Sequence, residues 1–106
     1  MDVLVTKTDA MRVSYYISLN LITPDGFESF GKFFLGGDKH EATEIFKLLK
    51  GDELVSEKSV LTMDLTADYG GIPITIEMIH CSLDELAYNT TLISREIFKR
   101  IHLKTK

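Results

Sequence analysis

The clearest candidate for chemistry is a pair of carboxylates that are predicted to face each other across a β-hairpin. Residues 61–68 and 74–81 alternate apolar and polar side chains, and Gly70-Gly71 between them suits a two-residue turn. That turn predicts Asp64 opposite Glu77 on one face of a sheet. Carboxylates about 5 Å apart repel by about 1–3 kcal/mol, so Arg12 or Lys32, a raised carboxyl pKa or a bound cation must offset the repulsion.

Paired carboxylates carry out acid–base hydrolysis or bind a divalent cation. Asp64 and Glu77 therefore support one functional hypothesis, a small metal-dependent or acid–base enzyme or ligand-binding protein. The alternative is that neighbouring side chains simply neutralise the pair, which an open sheet face without a third ligand favours. On that alternative we expect no catalytic residue, no metal and no cofactor.

His80 and Cys81 form a second candidate, since a thiol beside an imidazole is a common nucleophile pair. Consecutive residues of a strand point to opposite faces, so this imidazole cannot take the thiol proton. The alternation places His80 on the apolar side of its strand, at the sheet margin. The pair is therefore interpreted as structural.

The stretch FLGGDKHEATEIFKLLKG, residues 34–51, raises the question of an anion site, because glycines before a helix can bind phosphate. Asp38 and Glu41 have the spacing of a helix cap, and their charge would repel an anion at that position. Gly51 suits the position just past the end of this helix. The stretch therefore predicts a capped helix.

The order of elements predicts an α+β fold, a two-layer sandwich with a ββαββα pseudo-repeat. Residues 11–22 and 27–35 read as a hairpin around the turn sequence TPDG, and a helix follows each of the two hairpins. We expect one domain, 1–106, built from hairpin-helix units 11–51 and 60–103, with a four-stranded, mostly antiparallel sheet and both helices on one face. Residues 3–6 are a possible fifth strand, and the patterns leave the strand order open.

An aromatic patch is predicted on the face of the sheet opposite the helices. A bulge at Gly26 would pair Tyr16 with Phe34 and Asn20 with Phe30, and the second hairpin would place Ile79 on the same side. The predicted interaction face therefore consists of Tyr16, Phe30, Phe34 and Ile79. Monomers rarely expose such patches, so we expect it to contact a protein partner or a second copy of the chain.

Composition narrows the classes of function. The 106 residues carry a net charge of −4, which disfavours nucleic acid, and no apolar run is long enough to span a membrane. The single cysteine fits a reducing, cytoplasmic location. The leading hypothesis is a non-enzymatic, acidic interaction module that self-associates, as a homodimer, or docks a partner. The carboxylate enzyme is the alternative, and a sheet-face nucleic-acid binder is a further one.

Overall fold

A computed structural model describes residues 12–102 of the chain. Its elements are β1 Val13–Thr23, β2 Gly26–Gly36, α1 Lys39–Lys47, β3 Leu61–Tyr69, β4 Ile72–Cys81 and α2 Leu83–Ile97, and one π-helical turn, Phe98–His102, continues α2. The possible strand at residues 3–6 lies outside the described residues. Neither described helix has the length and apolar character needed to cross a membrane.

The four strands form one antiparallel sheet in the order β2-β1-β3-β4, which confirms the predicted α+β fold. The two central strands, β1 and β3, pair in regular register, with Ile17 opposite Leu65. Both of these side chains are fully buried, and they share one core with Ile45 of α1 and Ile93 of α2. Both helices therefore cover the same side of the sheet, and alternate residues of β1 and β3 point away from them.

The second hairpin turns as the sequence predicts. Tyr69 pairs with Ile72, and Gly70 and Gly71 between them have φ angles of 61° and 99°. Two successive left-handed residues make the tight turn that matches strand twist, and only glycine adopts that conformation without strain.

Strand β4 contains a bulge that the sequence analysis did not anticipate. Thr66 pairs with Thr75, as the two-residue turn requires, whereas Leu65 pairs with Glu77, so Ile76 is an extra residue between the two pairs. A bulge shifts the alternation of the strand by one position. Every residue of β4 after Ile76 therefore lies on the face opposite to the predicted one.

The first hairpin also departs from its predicted register near the turn. Thr23 pairs with Gly26 across Pro24-Asp25, so the predicted bulge at Gly26 is wrong. The extra residue is instead Phe30, because Leu19 pairs with Gly31 and Asn20 pairs with Ser29. Farther along β2, Leu35 is a second bulge residue, between the pairs Tyr16–Phe34 and Tyr15–Gly36.

The predicted cap of helix α1 is confirmed, and its predicted end is wrong. The Asp38 carboxylate accepts a hydrogen bond from the Glu41 backbone amide at 3.1 Å, so a carboxylate occupies the position where an anion would bind. The helix ends at Lys47 with Leu48 as its cap, several residues before Gly51. Helix α2 begins with a reciprocal capping box of Ser82 and Glu85.

Gly51 is required for close packing, and replacing it with alanine tests this. A Cβ at this position would lie 2.9 Å from Ile79 Cδ1, 3.0 Å from the His80 carbonyl oxygen and 3.1 Å from Cys81 Sγ. We expect Gly51→Ala to lower the free energy of unfolding by about 1 kcal/mol, since both β4 and the linker must shift. Urea unfolding measures this, with Gly71→Ala as a comparison in which the strain comes from φ alone. An unchanged midpoint for Gly51→Ala would contradict the packing account.

Candidate docking face

The face of the sheet that points away from both helices is here called the outer face. Strand pairing places side chains of all four strands on it. They are Ser14, Tyr16, Ser18, Asn20 and Ile22 of β1; Phe27, Ser29, Lys32 and Phe34 of β2; Thr62, Asp64, Thr66 and Asp68 of β3; and Pro73, Thr75, Met78 and His80 of β4.

Tyr16 and Phe34 form the aromatic centre of this face, as predicted. They are direct partners across β1 and β2, and their ring centroids lie 5.8 Å apart with planes tilted by 55°. The Lys32 ammonium sits 4.7 Å from the Tyr16 ring centroid, a cation–π contact. Tyr16 is only 7% exposed, whereas Phe34 is 66% exposed. The exposed ring of Phe34 thus rests on a fixed aromatic base.

Ile79 lies elsewhere, and Phe30 does not form its predicted pair. Ile79 packs against the helix-side core, because the bulge in β4 turns it inward. Phe30 is not opposite Asn20, and as a bulge residue it has no partner in β1, although 47% of its surface is exposed. The ring that accompanies Phe34 on the outer face is instead Phe27, which pairs with Ile22 and is 59% exposed.

The predicted carboxylate pair does not form. Asp64 pairs with Met78 on the outer face, and Glu77 pairs with Leu65 on the helix side. The physical reason is again the bulge at Ile76, which moves Glu77 to the opposite face. The two carboxylates therefore neither repel each other directly nor share a bound group.

Asp64 instead belongs to a polar cluster with Asn20, Thr62 and His80. Asn20 pairs with Thr62, and Thr62 pairs with His80, so the three side chains form a row across β1, β3 and β4. The Asn20 amide donates to Ser18 Oγ at 3.1 Å and to Thr62 Oγ1 at 3.4 Å. His80 was predicted on the apolar side, and the bulge places it on the outer face instead.

Two buried atoms of this cluster are not satisfied. Within the described part of the chain, neither Asp64 Oδ1 nor His80 Nδ1 has a hydrogen-bond partner. Asp64 is only 8% exposed, and burial raises the pKa of its carboxyl above the usual value. The Thr62 hydroxyl, the Asn20 amide and the charge of His80 lower that pKa and only partly offset the burial. The outer face therefore carries an unpaired acceptor beneath its surface.

Cys81 is unsuited to nucleophilic chemistry. As predicted, its side chain and that of His80 point to opposite faces, and the thiol lies fully buried in the core. Burial raises the pKa of the Cys81 thiol to about 11, and the charge of Glu85 acts in the same direction. A thiol in this state carries almost no thiolate at neutral pH.

A cleft of about 580 Å³ lies at the start of α2, away from the outer face. Asp52, Asp84 and Glu85 contribute acidic groups to it and Lys58 a basic one. Across the described residues, no three or more His, Cys, Asp or Glu side chains come together as a metal site would require. Two of the acidic residues, Asp84 and Glu85, lie in the first turn of α2 and complement its positive end.

Comparison with protein-family models, curated proteins and solved structures finds no match to this chain.

Proposed function

We propose that this chain is a non-enzymatic protein-interaction module that docks through its outer face. The observation that carries the proposal is the Phe34 ring, which is two-thirds exposed and held on the buried Tyr16. Aromatic side chains fixed in one orientation are typical anchors of protein interfaces, because they bury a large area at little entropic cost.

The energetics support covering this face. Burying the exposed parts of Phe27 and Phe34 would contribute about 1–2 kcal/mol each from apolar area alone. Met78 and Ile22 on the same face are each about 40% exposed and add to the apolar surface. A surface of this kind, spread over one side of a sheet, is typical of a contact between proteins.

The competing functions receive less support. The enzyme hypothesis rests on Asp64 facing Glu77, and these residues lie on opposite faces of the sheet. A nucleic-acid surface needs several basic side chains to contact phosphates, and Lys32 is the single lysine or arginine among the outer-face residues of β1 to β4. The buried thiol of Cys81 supports a reducing, cytoplasmic location as part of the same proposal.

Phe34→Glu tests the proposal, with Leu54→Glu as the matched control. Leu54 is 80% exposed in the linker before β3, so its replacement adds the same charge away from the outer face. We expect the wild-type chain and Leu54→Glu to associate with protein, as a larger mass in light scattering or as a retained partner in affinity capture. Phe34→Glu should lose that association while keeping its fold, measured by circular dichroism. A wild-type chain that stays monomeric and retains no protein would refute the proposed function.

A further inference from the structure

We infer that Asp64 and His80 form a proton-operated link between β3 and β4, here called the Asp64–His80 link. A proton taken up from water by the Asp64 carboxyl closes a hydrogen bond to the His80 imidazole, and release of that proton to water opens it again. The link belongs to the chain itself and requires no partner, so it goes beyond the proposed function. Strand register, two buried unpaired atoms and the charges around them support it.

Strand register places the two side chains next to each other on the outer face. Asp64 pairs with Met78 and Thr62 pairs with His80, so Asp64 and His80 are diagonal neighbours across β3 and β4. Diagonal neighbours lie about 7–8 Å apart, a distance that an aromatic side chain such as histidine can span. The backbone of His80 is held by two hydrogen bonds to Asp52, of 2.7 and 2.9 Å, so rotation of the side chains alone opens or closes the link.

Each of the two side chains has a buried atom that lacks a partner, and one proton would satisfy both atoms. Within residues 12–102, Asp64 Oδ1 and His80 Nδ1 have no hydrogen-bond partner, and therefore they are not bonded to each other. An ionised carboxylate and the bare nitrogen of a neutral imidazole are both acceptors, so they cannot form a hydrogen bond. A protonated carboxyl is a donor and would join Oδ1 to Nδ1. Since buried polar atoms are nearly always paired, the link accounts for both exceptions.

Burial determines which of the two groups holds the proton. A single proton can be shared either as a carboxylate with an imidazolium or as a neutral carboxyl with a neutral imidazole. Only 8% of Asp64 is exposed, and taking two charges out of water costs more than their attraction returns unless further hydrogen bonds satisfy them. The neutral form is therefore favoured, in agreement with the carboxyl pKa, which burial raises.

Few other charges act on the link. On the outer face, β1 contributes no titratable side chain, and β4 contributes none besides His80. Lys32 of β2 lies in the same row as Asp64 but two strands away, at about 10 Å, where its charge has little effect. Asp68 lies four residues farther along β3, at about 13 Å. From the linker, Asp52 adjoins His80, and a negative charge there favours uptake of a proton.

The link closes at low pH and opens as the pH rises. Burial raises the folded-state pKa of Asp64, so the contribution of the neutral carboxyl to stability is fully present below the unfolded pKa, near pH 4. This contribution is lost as the pH rises through the folded pKa, when the carboxyl ionises and can no longer donate to the imidazole. The outer face therefore has a side-chain bond between β3 and β4 that is made in acid and broken in alkali.

His80→Phe tests the link through the titration of Asp64, followed by the ¹³C shift of its carboxyl in NMR. Phenylalanine keeps a ring beside Asp64 and removes both nitrogens. If neutral His80 accepts the carboxyl proton, its loss destabilises the protonated form, and the Asp64 pKa should fall by about one pH unit. If His80 acts only through its positive charge, which lowers the Asp64 pKa, the same variant should raise that pKa.

His40→Phe is the matched control, because His40 lies exposed on α1, and it should leave the Asp64 titration unchanged. An Asp64 pKa that rises or stays constant in His80→Phe would overturn the link, and so would an equal fall in His40→Phe.

Ring ¹⁵N shifts of the wild-type chain provide a measurement that needs no variant, should His80→Phe fail to fold. At a pH just below the midpoint of the Asp64 titration, we expect the His80 ring to have a bare Nδ1 and a proton on Nε2. A proton on Nδ1 at that pH would overturn the link. Neither measurement involves a partner, so failure of the link leaves the proposed function standing, and failure of the proposed function leaves the link.

Discussion

Replacing Asn89 with alanine is expected to lower the free energy of unfolding by about 3 kcal/mol. Asn89 is fully buried in α2, and its side chain binds both backbone polar groups of Lys50: Nδ2 donates to the Lys50 carbonyl at 2.8 Å, and Oδ1 accepts from the Lys50 amide at 2.8 Å. Its Nδ2 also lies 3.3 Å from Met63 Sδ in the core. Alanine leaves two backbone groups unpaired and opens a cavity, and both effects destabilise.

Urea unfolding followed by circular dichroism measures this effect. Thr91→Ala is the matched control, because Thr91 is exposed on the same helix and its hydroxyl bonds only the Ala87 carbonyl. The control should change stability by less than about 0.5 kcal/mol. A similar small change for Asn89→Ala would show that the two hydrogen bonds between Asn89 and the Lys50 backbone contribute little to stability.

Asp64→Asn is expected to raise stability at neutral pH, by about 1–2 kcal/mol, because it removes a buried charge with an unpaired oxygen. The folded-state pKa of Asp64 is raised by burial, so the folded state disfavours the ionised form. The favourable contribution of the neutral carboxyl is fully present below the unfolded pKa, near pH 4, and is lost as the pH rises through the folded pKa.

Unfolding free energies of the wild type and Asp64→Asn should therefore converge below about pH 4 and separate at higher pH, with the variant more stable. Asp25→Asn is a suitable control, because Asp25 lies exposed in the first turn. Its difference from the wild type should be small at all pH values. If Asp64→Asn were less stable than the wild type at pH 7, Asp64 would have a favourable ionic partner, contrary to the buried and unpaired geometry.

Much of the architecture could be predicted because the spacing of apolar residues along a strand or helix follows from which of its sides is buried. The alternation in β1 and β3, the Gly70-Gly71 turn and the helix cap at Asp38 all correspond to observed features. These features are local, so neighbouring residues suffice to determine them. Strand order, which the pattern left open, depends instead on contacts between distant segments.

The details of the candidate site were harder to predict, and the three bulges explain most of the errors. An extra residue at Phe30, Leu35 or Ile76 leaves the local alternation nearly intact while exchanging the faces beyond it. Ile79 and Glu77 were therefore assigned to the outer face, and His80 to the helix side.

Asn89 was missed for a different reason. A buried side-chain amide has no sequence signal apart from the group that it binds. That group is the backbone of Lys50, about forty positions earlier in the chain. Nearly every residue has the same backbone amide and carbonyl, so the residue type at position 50 does not identify it as the partner of Asn89.

The solvent exposure of the Phe34 ring in solution tests the central claim most directly. A fluorine label on the ring reports contact with water through the difference in ¹⁹F shift between H₂O and D₂O. We predict a small isotope shift when the chain is associated with protein and a larger one when it is dissociated, as the ring passes from a covered to an open state. A large shift in the associated and the dissociated chain alike would show that the ring stays in water and would contradict docking through the outer face.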